Sequence, residues 1–256
     1  MGKEQAIGFI DSGLGGISVL AAAVKDLPYE CFYYLGDSAN APYGTKSDAE
    51  VLRLTITGVE RLIDKGIKAL VIACNTASGI AAESLRQKYH FPIIALEPAL
   101  KVAAQARESG VILVLATPLA LNSRKYQNLY DQYGEHSVSL PCPGLMDFVE
   151  REELDSPALD RYLDGLFSPF IGQDIDSAVL GCTHYLFLRD AITRHLPRKT
   201  KIIDSNQGVV RQLKNKLIFN GLLADAHESG EVTFLSTGGP EKILQMERML
   251  QRAQKI

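Results

Sequence analysis

The sequence predicts an α/β protein built as two pseudo-symmetric, doubly wound parallel-sheet domains with the active site in the cleft between them. Three observations lead there. Short apolar, β-branched runs alternate with helix-length segments, the runs of the first half recur in the second at a nearly constant offset, and a cysteine ends the corresponding strand of each half.

The runs at 6–10, 31–35, 69–73, 93–96, 111–115, 137–140, 177–180 and 201–203 read as strands. Between them, 16–25, 47–65, 78–89, 97–108, 123–133, 158–170, 186–195 and 207–220 have helical length and composition, which places helices against parallel sheets. The recurrence is ordered. IGFIDS at 7–12 parallels ILVLAT at 112–117 with an offset of 105, and ALVIACNT at 69–76 parallels SAVLGCTH at 177–184 with an offset of 108. FYYL at 32–35 likewise answers SVSL at 137–140, and PII at 92–94 answers KII at 201–203. A repeat of this length is a domain and not a solenoid period, giving a first domain of 1–97 plus 207–256 and a second of 98–206. The segment after 207 has no partner in the repeat. Its helix and a strand at 232–236 are assigned to the first domain, a placement that the repeat itself does not decide.

Composition narrows the function. The 256 residues are 46% hydrophobic, and 27 basic and 30 acidic side chains are interspersed to a net charge of −3, so there is no electrostatic footprint for nucleic acid or an anionic membrane. No apolar run has bilayer-spanning length, and the polar start at 1–5 leads straight into a strand, so a cytoplasmic protein is expected. In that reducing compartment Cys31, Cys74, Cys142 and Cys182 are not a disulfide framework, and none has metal-ligand spacing. They are buried small hydrophobes or reactive thiols.

Cys74 and Cys182 stand out because each closes an apolar strand at the point where open parallel sheets bind ligands. The start of the following helix favours a thiolate and also attracts carboxylates. Around the same strand ends lie Asp11, Ser12 and the glycine turn 13–16, Tyr43 and Gly44 after the second strand, Asn75 and Thr76 beside Cys74, and Thr183 and His184 beside Cys182. Each has a plainer reading, as helix cap, Pro–Tyr–Gly turn or structural histidine. His184 could also exchange a proton with Cys182. Cys31 is expected in the core, Cys142 has no neighbouring base, and His90, His136, His195 and His227 are expected to be solvated.

Taken together, DSGLGG at 11–16, YLGDSANAPYG at 34–44, ACNTAS at 73–78 and GCTHY at 181–185 resemble glutamate racemase of the aspartate/glutamate racemase superfamily, over residues 7–205. The resemblance implies a cofactor-independent isomerase in which Cys74 exchanges the α-proton with D-glutamate and Cys182 with L-glutamate. Asp11 would assist Cys74, and His184 would assist Cys182 with Glu150, the end of CPGLMDFVE, nearby. Ser12, Tyr43, Gly44, Asn75, Thr76, Thr117, Thr183 and His184 would hold the substrate. It also implies a homodimer that supplies D-glutamate for bacterial peptidoglycan, without control by a cell-wall precursor. Ala120, Leu186, Asp147 and Asn206 depart from the family pattern. Ala120 replaces a threonine and leaves aspartate or another acidic amino acid open as substrate. No lysine has a Schiff-base context, so no pyridoxal cofactor is expected. Two other classes stay open: a cysteine hydrolase or amidase using one Cys–His pair, and a dicarboxylate-binding module.

Overall fold

The apolar runs become parallel strands, and the central ones are covered on both faces. β1 (Ala6–Asp11), β3 (Ile67–Ile72) and β7 (Ile175–Leu180) are buried along their whole lengths, as central parallel strands must be. The computed structural model describes residues 2–225 and 228–256, so His227 lies outside the described residues. The chain divides into two compact units, Met1–Leu96 with Asn206–Ile256, and Glu97–Ser205.

In the first unit β1, β2 (Phe32–Gly36), β3 and β4 (Ile93–Ala95) alternate with α1 (Ile17–Asp26), α2 (Asp48–Asp64) and α3 (Asn75–Lys88). The strands lie in the order β4-β3-β1-β2-β9, all parallel. The outermost, β9 (Val232–Ser236), returns from the C-terminal segment between α10 (Asn206–Phe219) and α11 (Pro240–Ala253), and both of those helices pack against α1.

The second unit repeats the plan with one strand fewer. α4 (Leu100–Ala106) leads into β5 (Val111–Ala116), which α5 (Pro118–Asn122) and α6 (Arg124–Tyr133) join to β6 (Ser137–Pro141). α7 (Leu145–Glu150) and α8 (Pro157–Phe167) precede β7, and α9 (Arg189–Arg194) precedes β8 (Lys201–Ile203). The parallel order is β6-β5-β7-β8, so each strand matches its counterpart of the first sheet. Even the irregularity repeats: the register slips between Ala6 and Ile7 against β3, and between Val111 and Ile112 against β7. β6 is an outer strand and ends on Pro141.

Several helices differ from the sequence expectation. The segment 186–195 is not one helix: Thr183–Leu188 is a 3₁₀ helix with all six residues buried, and only Arg189–Arg194 is α. The 3₁₀ segment packs against α7. α4 starts at Leu100 because Pro98 keeps Glu97 out of helical conformation. α5, α7 and α11 were not expected. Cys31 is exposed just before β2 and is no core residue.

The opposite end of the first sheet carries a buried ion pair. Lys68 on β3 is 0% exposed and lies 2.5 Å from Glu30 Oε2, itself 2% exposed. The Lys68 ammonium also donates to the Lys3 carbonyl, and Glu30 Oε1 accepts from Ala224 N at 2.9 Å. One contact thus ties the N-terminal segment, β3 and the loop after α10. Glu30→Ala leaves the ammonium buried without its counter-charge and should destabilise the chain by about 3–5 kcal/mol, while Glu30→Gln with Lys68→Met should cost far less. Urea denaturation at pH 7 measures both.

Candidate active site

In both sheets the backbone ladder runs one residue past the strands. Ala73 N donates to Ile10 O at 2.7 Å, and Gly181 N donates to Leu115 O at 2.7 Å. The next residue in each case is a cysteine. Cys74 (φ −128°, ψ 123°) and Cys182 (φ −138°, ψ 133°) are extended and begin the helix that follows, at the carboxyl ends of the strands where helix N–H groups are left unpaired.

Around Cys74 the glycine turn closes tightly. Asp11, 1% exposed, accepts from Gly13 N at 3.0 Å through Oδ2, and Tyr34 Oη donates to Gly13 O at 2.8 Å. A Cβ on Gly16 would stand 2.8 Å from Cβ of both Ala73 and Asp11, so only glycine lets the turn lie against that strand end. The Cys74 thiol is buried, donates to Ser12 Oγ at 3.8 Å and accepts from Ala77 N at 3.5 Å. It is therefore the side-chain cap of the 14-residue α3, whose N-terminal partial charge favours the thiolate. This cap is also why α3 begins at Asn75 and not at residue 78.

Asn75 and Thr76 form the first turn of α3 and are buried. Among the described residues Asn75 Oδ1 meets no donor, which leaves a buried acceptor open to a ligand. Tyr43, 1% exposed, starts the 3₁₀ turn Tyr43–Thr45 and donates to Asp37 Oδ2 at 2.7 Å, with Gly44 half-buried behind it. Burial, then the Asp37 carboxylate, pushes its phenol far above the ordinary range, so it stays a donor at any physiological pH.

The second unit surrounds its cysteine differently. Cys182 makes no capping bond, and a six-residue 3₁₀ helix offers a weaker end than α3 does. Instead Cys182 Sγ lies 3.7 Å from His184 Nδ1, and His184 Nε2 lies 2.9 Å from Glu150 Oε1. An ionised carboxylate can only accept, so Nε2–H donates, and in the neutral imidazole Nδ1 then faces the thiol as an acceptor. His184 is 2% exposed and Glu150 sits at the end of α7. Thr183 is buried, and Thr117 caps α5 by accepting from Ala120 N at 3.3 Å. Ala120 thus keeps its backbone bond and lacks only a hydroxyl.

The structure groups Asp11, Ser12, Tyr43, Gly44, Cys74, Asn75 and Thr76 in one unit, and Thr117, Glu150, Cys182, Thr183 and His184 in the other. Among the described residues no group of three or more His, Cys, Asp or Glu is placed to hold a metal ion. Asp37 escaped the sequence reading, although the offset of 105 makes it the counterpart of Cys142: Asp37 N donates to Asp11 O and Cys142 N to Ala116 O, both at 2.9 Å. His90 and His136 are exposed as expected, but His195 is only partly so: Nδ1 donates to Ala191 O at 2.8 Å and Nε2 faces Asp160 and Asp164.

Comparison with known proteins follows the same outline. The family model for Asp/Glu/Hydantoin racemase matches residues 16–213. The chain is 45% identical over 251 residues to glutamate racemase of Clostridium acetobutylicum, covering 97% of this chain and 98% of the relative. To that of Clostridium perfringens it is 43% identical over 251 residues, covering 97% and 96%. Among solved structures it resembles a glutamate racemase isoform of Bacillus anthracis with a TM-score of 0.86 at 31% identity, covering 99% of this chain and 95% of that one.

Cys142 gives a test of this picture. Burial, then the nearby Cys182, pushes its thiol up to about 12, and Sγ donates to Leu140 O at 3.2 Å. In native protein at pH 8 it should resist iodoacetamide for hours while exposed Cys31 reacts, and should label fully once urea unfolds the chain, as peptide mass spectrometry would report.

Proposed function

The chain belongs to the glutamate racemases of the Asp/Glu/hydantoin racemase family, and from that premise we propose that it interconverts L- and D-glutamate without a cofactor, using Cys74 and Cys182 as its two bases. One observation carries the reading: a thiol stands at the same ladder position of each repeated sheet, and each has its own polar neighbour, the Ala77 amide for Cys74 and the His184 imidazole for Cys182.

The α-hydrogen of an amino acid is a weak acid, and a pyridoxal ring would ordinarily absorb the electron pair. Here the thiolate of one cysteine takes that hydrogen as a proton, the C–H electron pair stays on the substrate, and the other thiol delivers its own proton to the opposite face. Thiol and thiolate have then changed places, and the protein is set for the reverse reaction. Helix N-termini and neutral donors hold the charge that develops on the carboxylate, more strongly once water is excluded.

Cys74 serves D-glutamate, helped by Asp11. Cys182 serves L-glutamate, with His184 as proton partner and Glu150 orienting the imidazole. The Asn75 amide oxygen receives the substrate ammonium, while Ser12, Thr76, Thr117, Thr183 and the Tyr43–Gly44 backbone receive carboxylate oxygens. The product would supply peptidoglycan synthesis in a bacterial cytoplasm, and the working form would be a homodimer. No helix among the described residues is long and apolar enough to cross a membrane. A second reading, aspartate as substrate, is favoured only by Ala120, whose methyl group stands in α5 where the family pattern has a threonine hydroxyl.

Circular dichroism with each enantiomer of glutamate and aspartate, without added cofactor, is the direct measurement. Glutamate should racemise in both directions, and turnover of aspartate alone would replace the first reading by the second. In deuterated water the earliest product should carry deuterium at Cα whichever enantiomer is supplied, and retention of the original hydrogen would exclude two bases. Cys74→Ala and Cys182→Ala should each lower kcat/KM by about a thousandfold or more. Glu150→Gln should lower it by about tenfold, equally in the two directions because the equilibrium constant is unity.

A further inference from the structure

The loop that presents Tyr43 is held from behind by a segment with no counterpart in the repeat. Asp37 is 4% exposed, and its carboxylate receives three side-chain donors. Tyr43 Oη donates to Oδ2 at 2.7 Å, and Asn40 Nδ2 and Thr237 Oγ1 donate to Oδ1 at 2.9 and 2.7 Å. Thr237 comes immediately after β9, where its amide donates to Gly36 O at 3.3 Å. Its hydroxyl works twice, since Oγ1 also accepts from Ala39 N at 3.1 Å. The C-terminal segment therefore grips the loop at a side chain and at the backbone through one oxygen. Gly238 continues the contact: a Cβ there would lie 3.0 Å from Cβ of Ser38.

We propose that Thr237 is a positioning residue for substrate binding, fixing Asp37 and through it Tyr43 and the Tyr43–Gly44 backbone that receives a substrate carboxylate. The inference rests on the racemase reading for the identity of the ligand, but the coupling of Thr237 to the loop stands on its own contacts. The second unit offers a contrast. It has no strand equivalent to β9, and Cys142 takes the place of Asp37, so this device belongs to the first unit alone. Charge develops on the carboxylate next to Cα, so a grip on the substrate's side-chain carboxylate is made alike in the ground and transition states, and loosening it raises KM and spares kcat.

Thr237→Val keeps the shape of the half-buried side chain and removes both hydrogen bonds, whereas Thr237→Ser keeps both. With the full-length protein, Thr237→Val should raise KM for both glutamate enantiomers about tenfold, equivalent to about 1.4 kcal/mol, with kcat within about twofold. Thr237→Ser should restore KM to near its original value. Hydrogen exchange of the ligand-free protein, followed by mass spectrometry, should show faster exchange over residues 37–46 in Thr237→Val and unchanged exchange in α2. An unchanged KM with unchanged exchange in Thr237→Val would overturn the proposal, and so would a serine variant as impaired as the valine one. If the unsubstituted chain racemises nothing, the functional reading fails, and the exchange comparison still decides the coupling.

Discussion

The backbone bonds from Ala73 to Ile10 and from Gly181 to Leu115 determine where the two thiols stand. A parallel ladder fixes the register of neighbouring strands, and the register fixes which residue is first beyond the sheet. That residue is a cysteine in both units, in nearly the same extended conformation. Gly181 shows how little room is left: a Cβ on it would stand 2.8 Å from the Leu115 carbonyl oxygen and 3.0 Å from Cβ of Ala116. The position of the two thiols is therefore a property of the sheet, and the loops only supply their surroundings.

Those surroundings have diverged. α3 gives Cys74 a full helix end and a backbone amide, whereas Cys182 heads a short 3₁₀ helix and has an imidazole–carboxylate pair instead. A fixed dipole stabilises a thiolate without changing its own charge, while an imidazole can also store the proton. Each unit also pins the residue past its second strand with a buried tyrosine hydroxyl: Tyr43 on the Asp37 carboxylate, and Tyr185 on the Cys142 carbonyl at 3.2 Å. Common geometry carries unlike electrostatics.

All nine strands among the described residues were legible in the sequence because each is an apolar run bounded by turns, and the repeat was legible because strand registers tolerate little drift. Helices were less so. α7 spans six residues between a glycine turn and Arg151, too short for a helical period to emerge, which is why the resemblance alone pointed to Glu150. The 3₁₀ winding at Thr183–Leu188 has no signature in the local run of residues, which reads equally as the start of an α-helix. Asp37 and Thr237 are 200 positions apart, and no local pattern announces a hydrogen bond of that span. Cys31 and His195 failed in opposite directions, because exposure at a strand edge and partial burial at a helix end are both decided by neighbours remote in sequence.

The proline that closes β6 bears on assembly of the sheets themselves. At the matching place in the first sheet, Gly36 lies beside Ser236 of β9, and its carbonyl takes the amide of Thr237. Pro141 has no amide hydrogen to offer a strand laid along its outer side, and Pro143 repeats the deficit two residues on. The free margin of the second sheet is thus blunted at its carboxyl end, where an unpaired strand would otherwise template the addition of another chain. One half of the duplicated fold covers its margin with more polypeptide, and the other protects it by leaving out a donor.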